Sequence, residues 1–401
     1  MLELEEALER ILRGVQAATP EQVAVSNAHG RILAETLSSP IDLPPFDNSA
    51  MDGYAIRSDD VPNATTDKPV RLRVLGTVAA GNVYGGEVTP GTCVRIFTGS
   101  PLPAGADCVV MQEDTAPDEQ EPGSVKILEV GRPWENVRLK GEDVRAGEAI
   151  IPAGCALRAG HLCLLSAVGI SAVNVGRRPR VALVATGTEL REPGEPLKPG
   201  EIYESNRVGL SVLIRSAGGE PALFPIVHDD AGATRQALSE AVSTSDIVVS
   251  VGGASVGQFD LVKPAVSDLG GQIEFWRVAI RPGRPFVFGR LNQKLFFGLP
   301  GNPVSAMVTF LVLVRPALRK WQGASDTGLE EVPGTLGEDL HNPGARRQFA
   351  RVKMDANGLV RTAGAQGSHV LKSFAEARGL VDIPAGSVLK SGTPVKVKLW
   401  A

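Results

Sequence analysis

Polar and glycine-rich segments follow the apolar runs in one part of the chain, and their side chains are of types that bind anions or metals. These segments are Thr186 to Glu189, Asp229 with Asp230, Gly252 to Asp260, and Pro300 to Pro303. In an open α/β sheet, ligands bind beyond the carboxyl ends of the strands. If the apolar runs are parallel strands, these segments meet at one edge of the sheet.

The chemistry of these segments suits a phosphorylated ligand and a divalent cation. The backbone N–H groups around Gly252 and Gly253, with the hydroxyl of Ser255, can surround an oxyanion. Glu189 and Asp260 offer the hard oxygen ligands that Mg²⁺ prefers. For each segment taken alone, an ordinary βα turn with no ligand is the alternative.

Two further pairs of residues mark the starts of helices. Pro303 suits a first helical position and Asn302 the cap before it, so the free N–H groups of that helix can face a ligand. One of Asp229 and Asp230 is expected to cap a helix starting near Ala231. The other carboxylate is then available to a metal or substrate, and the sequence leaves open which one it is, so both are candidate metal ligands.

Arg277, Arg281 and Arg284 lie within eight residues, in a segment that prolines stiffen. Guanidinium groups bind phosphate-like anions through paired N–H donors, so these arginines are candidate substrate-binding residues. A solvated charged loop is the alternative.

The N-terminal half carries a second group of candidates. The segment from Pro44 to Ala55 places two carboxylates, an amide and a hydroxyl near rigid prolines, and it includes Asp52. Thr98-Gly99 and Gly141-Glu142-Asp143 follow later in the chain. Taken separately, each of these two could be a simple turn.

Alternating β-branched runs and helical stretches from about Arg180 to Gly323 predict a parallel sheet covered by helices. Shorter strands with frequent Gly and Pro predict β structure on both sides of this block. We therefore expect four parts: a discontinuous N-terminal domain (1–46 and 140–176), a β module (47–139), an α/β domain (177–326) and a C-terminal β domain (327–401).

Composition excludes several classes of protein. The 401 residues carry a net charge of −4 and only 5% aromatic residues, so no extended basic surface for nucleic acid is expected. The four cysteines include no Cys-x-x-Cys pair, which argues against a zinc site or a disulfide framework. The apolar run ending at Val314 is shorter than the roughly 18 residues of a membrane span. The acidic start of the chain does not resemble a signal peptide, so we expect a cytoplasmic protein with no membrane contact.

Taken together, these motifs resemble the molybdopterin molybdenumtransferase (MoeA) family, which includes the gephyrin E domain. The matches are Phe46 to Ala55, Thr98-Gly99 before Pro101, Gly141-Glu142-Asp143, Thr186-Gly187, Gly252-Gly253 with Ser255 and Asp260, Gly298 to Ser305, and Gln366-Gly367-Ser368-His369. They follow the family's order along essentially the whole chain.

The resemblance implies a fold and a reaction. The fold is a multidomain α/β plus β arrangement: a central α/β molybdopterin-binding domain with a mostly parallel sheet, a β module inserted in the N-terminal domain, and a C-terminal β-barrel-like domain. The resemblance implies a homodimer, with residues 1–46 and 140–176 as the linker and dimerisation domain. Its active site is expected between the α/β domain of one subunit and the β module of the other. It cleaves adenylylated molybdopterin with Mg²⁺, releases AMP and inserts molybdenum from molybdate. Transient contact with molybdopterin-handling proteins or molybdoenzymes is also expected.

The resemblance also implies roles for residues. The catalytic set is Asp52, Thr98, Asp143, Glu189 and Asp260, and the metal set is Glu189, Asp229, Asp230 and Asp260. Substrate-binding residues are Gly252, Gly253, Ser255, Arg277, Arg281, Arg284, Pro300, Asn302, Pro303, Arg351 and Ser368.

This chain differs from the family pattern at some of these positions. Family members often have Lys where this chain has Arg277, Arg281 and Arg284, which replaces a compact ammonium by a planar fork. Thr188 stands where Asp is frequent, and Ala254 where Val is.

Two other functions fit the same residues. One is a dimeric scaffold or binding protein of the gephyrin type, although a scaffold has no physical need for acidic groups at strand ends. The other is a homologue that inserts tungstate, which shares molybdate's charge and tetrahedral shape.

Overall fold

A computed structural model describes residues 1–253 and 261–400. Ser255 and Asp260 therefore lie outside the described residues. The chain divides into two compact units, one of Met1–Glu35, Ala153–Arg158 and Val173–Ala401, and one of Thr36–Pro152 and Ala159–Ala172. The division into four domains stays a prediction.

The first part of the chain is rich in short strands. In chain order its elements are α1 (Leu4–Arg13), β1 (Glu21–Ala24), β2 (Leu37–Ser38), β3 (Asn48–Ser49), β4 (Gly53–Ile56), β5 (Val70–Val78), β6 (Thr92–Ile96), β7 (Cys108–Met111), β8 (Thr115–Pro117), β9 (Ser124–Ile127), β10 (Val137–Arg138), β11 (Ala149–Ile151), α2 (Ala159–Ala167) and β12 (Ala172–Val175). Short 3-10 helices cover Val25–Asn27, Ser58–Asp60 and Gln112–Asp114.

The β module predicted for this part contains a sheet with the strand order β7–β4–β6–β5–β9–β8. Its core includes Ile56, Leu72 and Ile127, together with Cys93 and Cys108. Both cysteines are free, and burial raises the pKa of each thiol to about 12. These two residues therefore act as small apolar side chains at neutral pH.

The central part of the chain alternates strands and helices. Its elements are β13 (Arg180–Ala185), β14 (Leu190–Arg191), β15 (Ile202–Tyr203), α3 (Asn206–Ser216), β16 (Glu220–Leu223), α4 (Ala231–Thr244), β17 (Ile247–Val251), α5 (Val262–Asp268), β18 (Gln272–Trp276), β19 (Ile280–Arg281), β20 (Val287–Leu291), β21 (Lys294–Leu299), α6 (Pro303–Thr309) and α7 (Arg315–Trp321), with a π-helical turn at Phe310–Val314 between the last two.

The central sheet has the strand order β16–β13–β17–β21–β20–β18. Strands β16, β13, β17 and β21 run parallel, and β20 is antiparallel to both of its neighbours, so the prediction of a mostly parallel sheet is confirmed. Asn292 and Gln293 adopt positive φ angles and close the β20–β21 hairpin that the sequence predicts.

Two predicted strands differ from the observed ones. The strand expected at 223–227 lies at Glu220–Leu223. The N–H of Phe224 still donates to Leu183, but the next N–H to reach β13 is that of Val227, three residues on instead of two, so the regular ladder ends there. The strand expected at 273–280 divides at Arg277, whose φ of +72° turns the chain out of the extended conformation. Its second part, β19, joins a different sheet.

The C-terminal part forms a closed ring of strands. Its elements are β22 (Glu330–Leu336), β23 (Leu340–Asn342), β24 (Arg347–Met354), β25 (Leu359–Thr362), α8 (Leu371–Glu376), β26 (Gly379–Ile383), β27 (Ser387–Leu389) and β28 (Pro394–Leu399). The pairings β24–β25–β22–β28–β26 return to β24, which confirms the barrel-like domain, and β19 adds to β24 in parallel.

The largest core packs helices against the central sheet. Four rings, those of Phe275, Phe286, Phe288 and Phe297, form tilted contacts in it, with centroids 5.3–6.3 Å apart. Helix α1 contributes Ala7 and Ile11 to the same core. Within residues 1–253 and 261–400, every helix is too short or too polar to traverse a lipid bilayer.

The aromatic cluster gives a prediction of stability. Phe297→Ala removes a ring that is fully buried between Phe286 and Phe288. We expect it to lower the free energy of unfolding by about 3–5 kcal/mol, because the sheet cannot close the resulting cavity. Leu223→Ala is the control: its side chain is 53% exposed, and the expected change is within about 0.5 kcal/mol. Urea unfolding followed by circular dichroism measures both, and equal effects of the two substitutions would contradict this packing.

Candidate functional site

A cavity of about 690 Å³ opens at the carboxyl ends of the central parallel strands. Its walls come from the segments after β13, β17 and β21, from the start of α3, and from the C-terminal domain. The lining includes Thr186, Gly187, Glu189, Tyr203, Asn206, Asp229, Gly252, Gly253, Pro285, Pro300, Gly301, Asn302, Pro303, His369 and Leu371.

Strand register places these segments side by side. Ala185 pairs with Val251, and Val251 pairs with Leu299, so three strands end at the same level. The ladder continues one residue further: the N–H of Thr186 donates to the carbonyl of Val251 (2.9 Å), and that of Gly252 to the carbonyl of Leu299 (3.2 Å). The expectation that these segments share one edge is confirmed for the described residues.

Glycine is required where the β17 loop approaches the β13 loop. Gly252 has a φ of +88°, and a Cβ atom there would lie 2.4 Å from the carbonyl oxygen of Thr186. Gly253 also has a positive φ. Any larger residue at position 252 would push the two loops apart, so the close backbone approach depends on glycine.

The carboxylate of Asp229 is held by a neighbouring loop. Thr188 donates its N–H to Asp229 Oδ2 (3.1 Å), and its hydroxyl oxygen accepts from the N–H of Asp229 (3.0 Å). Thr188, the residue that departs from the family pattern, therefore orients a cavity carboxylate without adding a second negative charge.

Asp230, unlike Asp229, is a helix cap. Its Oδ1 accepts from the N–H of Ala233 (2.7 Å) and caps helix α4. Only Asp229 of this pair lines the cavity. The tertiary structure therefore decides the choice that the sequence left open.

Glu189 is the second acidic group of the cavity. A Cβ atom added to Gly187 would lie 2.7 Å from the Glu189 carboxylate, which shows that this carboxylate folds back over the glycine. Glu189 and Asp229 thus border the same cavity from successive loops.

The loop after β21 is fixed by bonds from two other segments. Asn206 donates through Nδ2 to the carbonyl of Gly301 (2.9 Å), and the N–H of Val304 donates to the carbonyl of Ser368 (3.1 Å). Pro303 occupies the first turn of α6 as predicted, whereas the Asn302 side chain makes no capping hydrogen bond. The N–H of Val304, one of the groups expected to face a ligand, is thus hydrogen-bonded to the C-terminal domain instead.

Arg351 organises the segment that brings His369 to the cavity. Its side chain is fully buried and donates to the carbonyls of Ala365 (2.9 Å) and Gly367 (3.2 Å). Its Nε donates to the hydroxyl of Ser373, while Nη1 has no partner in the described residues. Burial lowers the pKa of this guanidinium to about 10.

The three arginines predicted together occupy different surroundings. The Arg277 guanidinium lies 3.7 Å from the ring centroid of Trp276, a cation–π contact. Arg281, the last residue of β19, and Arg284, in the turn after it, are both exposed. Gly283 in that turn packs against α6: a Cβ there would lie 2.3 Å from Thr309 Cγ2.

The remaining candidates lie in the other unit. Thr98 donates through its N–H and its hydroxyl to Asp52 Oδ1, both at 2.8 Å, and these two bonds, with Arg95 nearby, hold the pKa of Asp52 below its ordinary value. Asp143 lines a separate cavity of about 400 Å³ together with Gly99 and Arg138. Asp52 and Thr98, which the resemblance placed in one catalytic set, are therefore in direct contact.

Tyr203, Asn206, Pro285 and His369 also line the cavity, but the sequence analysis did not select them as candidate site residues. His369 ends a segment that was matched as a motif, and Asn206 begins a predicted helix, so both carried a signal. In the described part of the chain, no group of three or more His, Cys, Asp or Glu side chains converges on one point to hold a metal ion.

Comparisons with known proteins cover the whole chain. Family models match as the MoeA N-terminal region (domain I and II) at residues 2–169, a probable molybdopterin binding domain at 182–320, and the MoeA C-terminal region (domain IV) at 333–400.

Individual relatives agree with these matches. The molybdopterin molybdenumtransferase of Nostoc sp. is 40% identical over 92% of this chain and 86% of its own length. That of Haemophilus influenzae is 37% identical over 94% of this chain and 93% of its own. The crystal structure of the molybdopterin biosynthesis moeA protein from Pyrococcus horikoshii OT3 superposes with a TM-score of 0.86, at 33% identity and full coverage of both chains. Together with the strand-end site, these similarities establish that the chain belongs to the molybdopterin molybdenumtransferase family.

Proposed function

We propose that this protein inserts molybdenum into adenylylated molybdopterin, with Mg²⁺-dependent cleavage of the pyrophosphate linkage, release of AMP and formation of the molybdenum cofactor. Family membership supports molybdenum transfer. The observation that carries the finer proposal is the placement of Glu189 and Asp229 together in a large cavity at the strand ends.

The cavity chemistry fits a magnesium ion. Its described lining contains two carboxylates and neither Lys nor Arg, so a diphosphate alone would meet negative charge there. Mg²⁺ is typically held by one or two carboxylates and the substrate's own phosphates. We assign Glu189 and Asp229 to hold the ion, with Asp260 as a further ligand and catalytic group. When bound, the ion supplies positive charge that stabilises the phosphoryl oxygens as the linkage breaks.

The other residues bind and orient the substrate. Gly252 and Gly253 allow the backbone to approach the phosphates closely, with Ser255 as an additional donor. Pro300, Asn302 and Pro303 form the wall on the pterin side.

The oxyanion is assigned to residues outside the acidic part of the cavity. Arg277, Arg281 and Arg284 are proposed to bind molybdate, the substrate oxyanion. Arg351 and Ser368 hold the C-terminal wall in place and complete the substrate-binding set.

We further propose that the protein acts as a cytoplasmic homodimer with transient protein contacts to molybdopterin-handling proteins or molybdoenzymes. Asp52, Thr98 and Asp143 of one subunit would then complete the catalytic set of its partner. The hydrogen bonds from Thr98 hold the pKa of Asp52 below its ordinary value, so this carboxylate is ionised at neutral pH, as a metal ligand must be.

Release of AMP tests the reaction. The purified full chain, given adenylylated molybdopterin, molybdate and Mg²⁺, is expected to release AMP, measured by chromatography. Chelation of Mg²⁺ by EDTA is expected to stop the release and added Mg²⁺ to restore it, because without the cation the cavity carboxylates and the diphosphate repel one another. Absence of AMP release with all components present would refute the proposed reaction.

A matched pair of neighbouring substitutions tests the role of Asp229. Asp229→Asn removes a cavity charge at constant shape, and we expect AMP release to fall at least about a hundredfold. Asp230→Asn should leave both the rate and the stability near those of the unmodified protein, since Asn caps helices about as well as Asp. The opposite result, with Asp230→Asn the inactive variant, would exchange the two assignments.

A further inference from the structure

Two arginines, one at the end of β19 and one in the turn after it, have no carboxylate partner among the described residues. Arg281 and Arg284 are exposed, and in residues 1–253 and 261–400 neither side chain makes a hydrogen bond or an ion pair. Two arginines of the same unit are, by contrast, paired with carboxylates: Arg207 with Glu192 and Glu204, and Arg347 with Asp382.

The barrel brings a third guanidinium to this turn. β19 and β24 pair in parallel, with Ile280 opposite Arg347, and this pairing places Arg346, the residue before β24, beside the turn. Arg346 Nη1 donates to the carbonyl of Ile280 (3.1 Å), which fixes the half-buried side chain one residue from Arg281. No carboxylate of the described residues forms an ion pair with Arg346.

The positive charges of Arg281, Arg284 and Arg346 interact with one another. Partial burial, followed by the positive charges of Arg284 and Arg281, lowers the pKa of Arg346 from its ordinary value. Positive charges this close to one another repel, whereas an anion bound among them is attracted to each. An unpaired cluster of guanidinium groups therefore costs stability that an oxyanion ligand recovers.

We propose that Arg346 is a further residue for the oxyanion substrate and binds molybdate together with Arg281 and Arg284. The proposal rests on the proposed function, and it adds one residue to the basic set of Arg277, Arg281 and Arg284. Arg346 comes from the segment just before β24, more than sixty residues away along the chain, so closeness in sequence could not have selected it.

Position and chemistry agree with this role. Pro285, which ends the same turn, lines the cavity, so the basic cluster borders the acidic strand-end site. A tetrahedral dianion presents oxygens in several directions, and planar guanidinium groups can donate to more than one of them. The substrate's phosphates and the oxyanion would thus occupy neighbouring regions of opposite protein charge.

Equilibrium binding of molybdate to the full chain, at two salt concentrations, tests the assignment. Arg346→Gln is expected to raise the Kd for molybdate at least about tenfold, the loss of one charge-assisted hydrogen bond, and to reduce its salt dependence. Arg346→Lys should recover part of the affinity because it keeps the charge. Arg361→Gln, on β25 of the same barrel, is the control for net charge, and its Kd should change less than twofold.

Further readouts separate local binding from folding and from the reaction. Thermal unfolding of each variant shows whether losing the hydrogen bond to Ile280 destabilises the fold. If Arg346→Gln is destabilised, the Kd of Arg346→Lys is used for the test instead. Binding of AMP to Arg346→Gln should stay within twofold of the unmodified protein. An unchanged molybdate Kd in Arg346→Gln would overturn the assignment of Arg346, even where AMP release by the unmodified protein supports the proposed function. An equal loss of AMP affinity would also overturn it, by making the site a phosphate site.

Discussion

The hydrogen-bonded register of three parallel strands is the constraint on which the site depends. Ala185, Val251 and Leu299 are paired in one line, so the loops after β13, β17 and β21 begin at the same level of the sheet. Parallel pairing does this without any contact between the functional side chains themselves. A shift of one residue in one strand would move its loop by about 3.3 Å and turn its side chains to the opposite face.

Charge is distributed unevenly around the cleft. Glu189 and Asp229 lie inside the cavity, whereas Arg281, Arg284 and Arg346 surround the turn that borders it. A carboxylate pair and a guanidinium cluster in direct contact would neutralise one another as ion pairs. Keeping them on different elements leaves both available, one for a cation with phosphates and the other for an oxyanion.

The C-terminal domain contributes to the cleft through fixed backbone. A buried guanidinium without a carboxylate partner is costly, yet Arg351 occupies the interior and directs its N–H groups to the carbonyls of the 365–367 segment. The carbonyl of Ser368, the next residue, in turn accepts a hydrogen bond from the N–H of Val304 at the start of α6. The position of His369 thus depends on a chain of hydrogen bonds that runs from the barrel interior to the central domain.

The sequence by itself determined the alternation of strands and helices, the strand-end motifs and the family, because hydrophobic period and turn chemistry are local. It could not determine which of two adjacent carboxylates faces the cavity, since Asp229 and Asp230 differ only in the direction that the chain gives them. Nor could it associate Arg346 with Arg281, or the buried face of α1 with the central core. Those contacts join segments that are far apart along the chain. Only the tertiary structure decides them, because local sequence patterns do not specify which distant segments pack together.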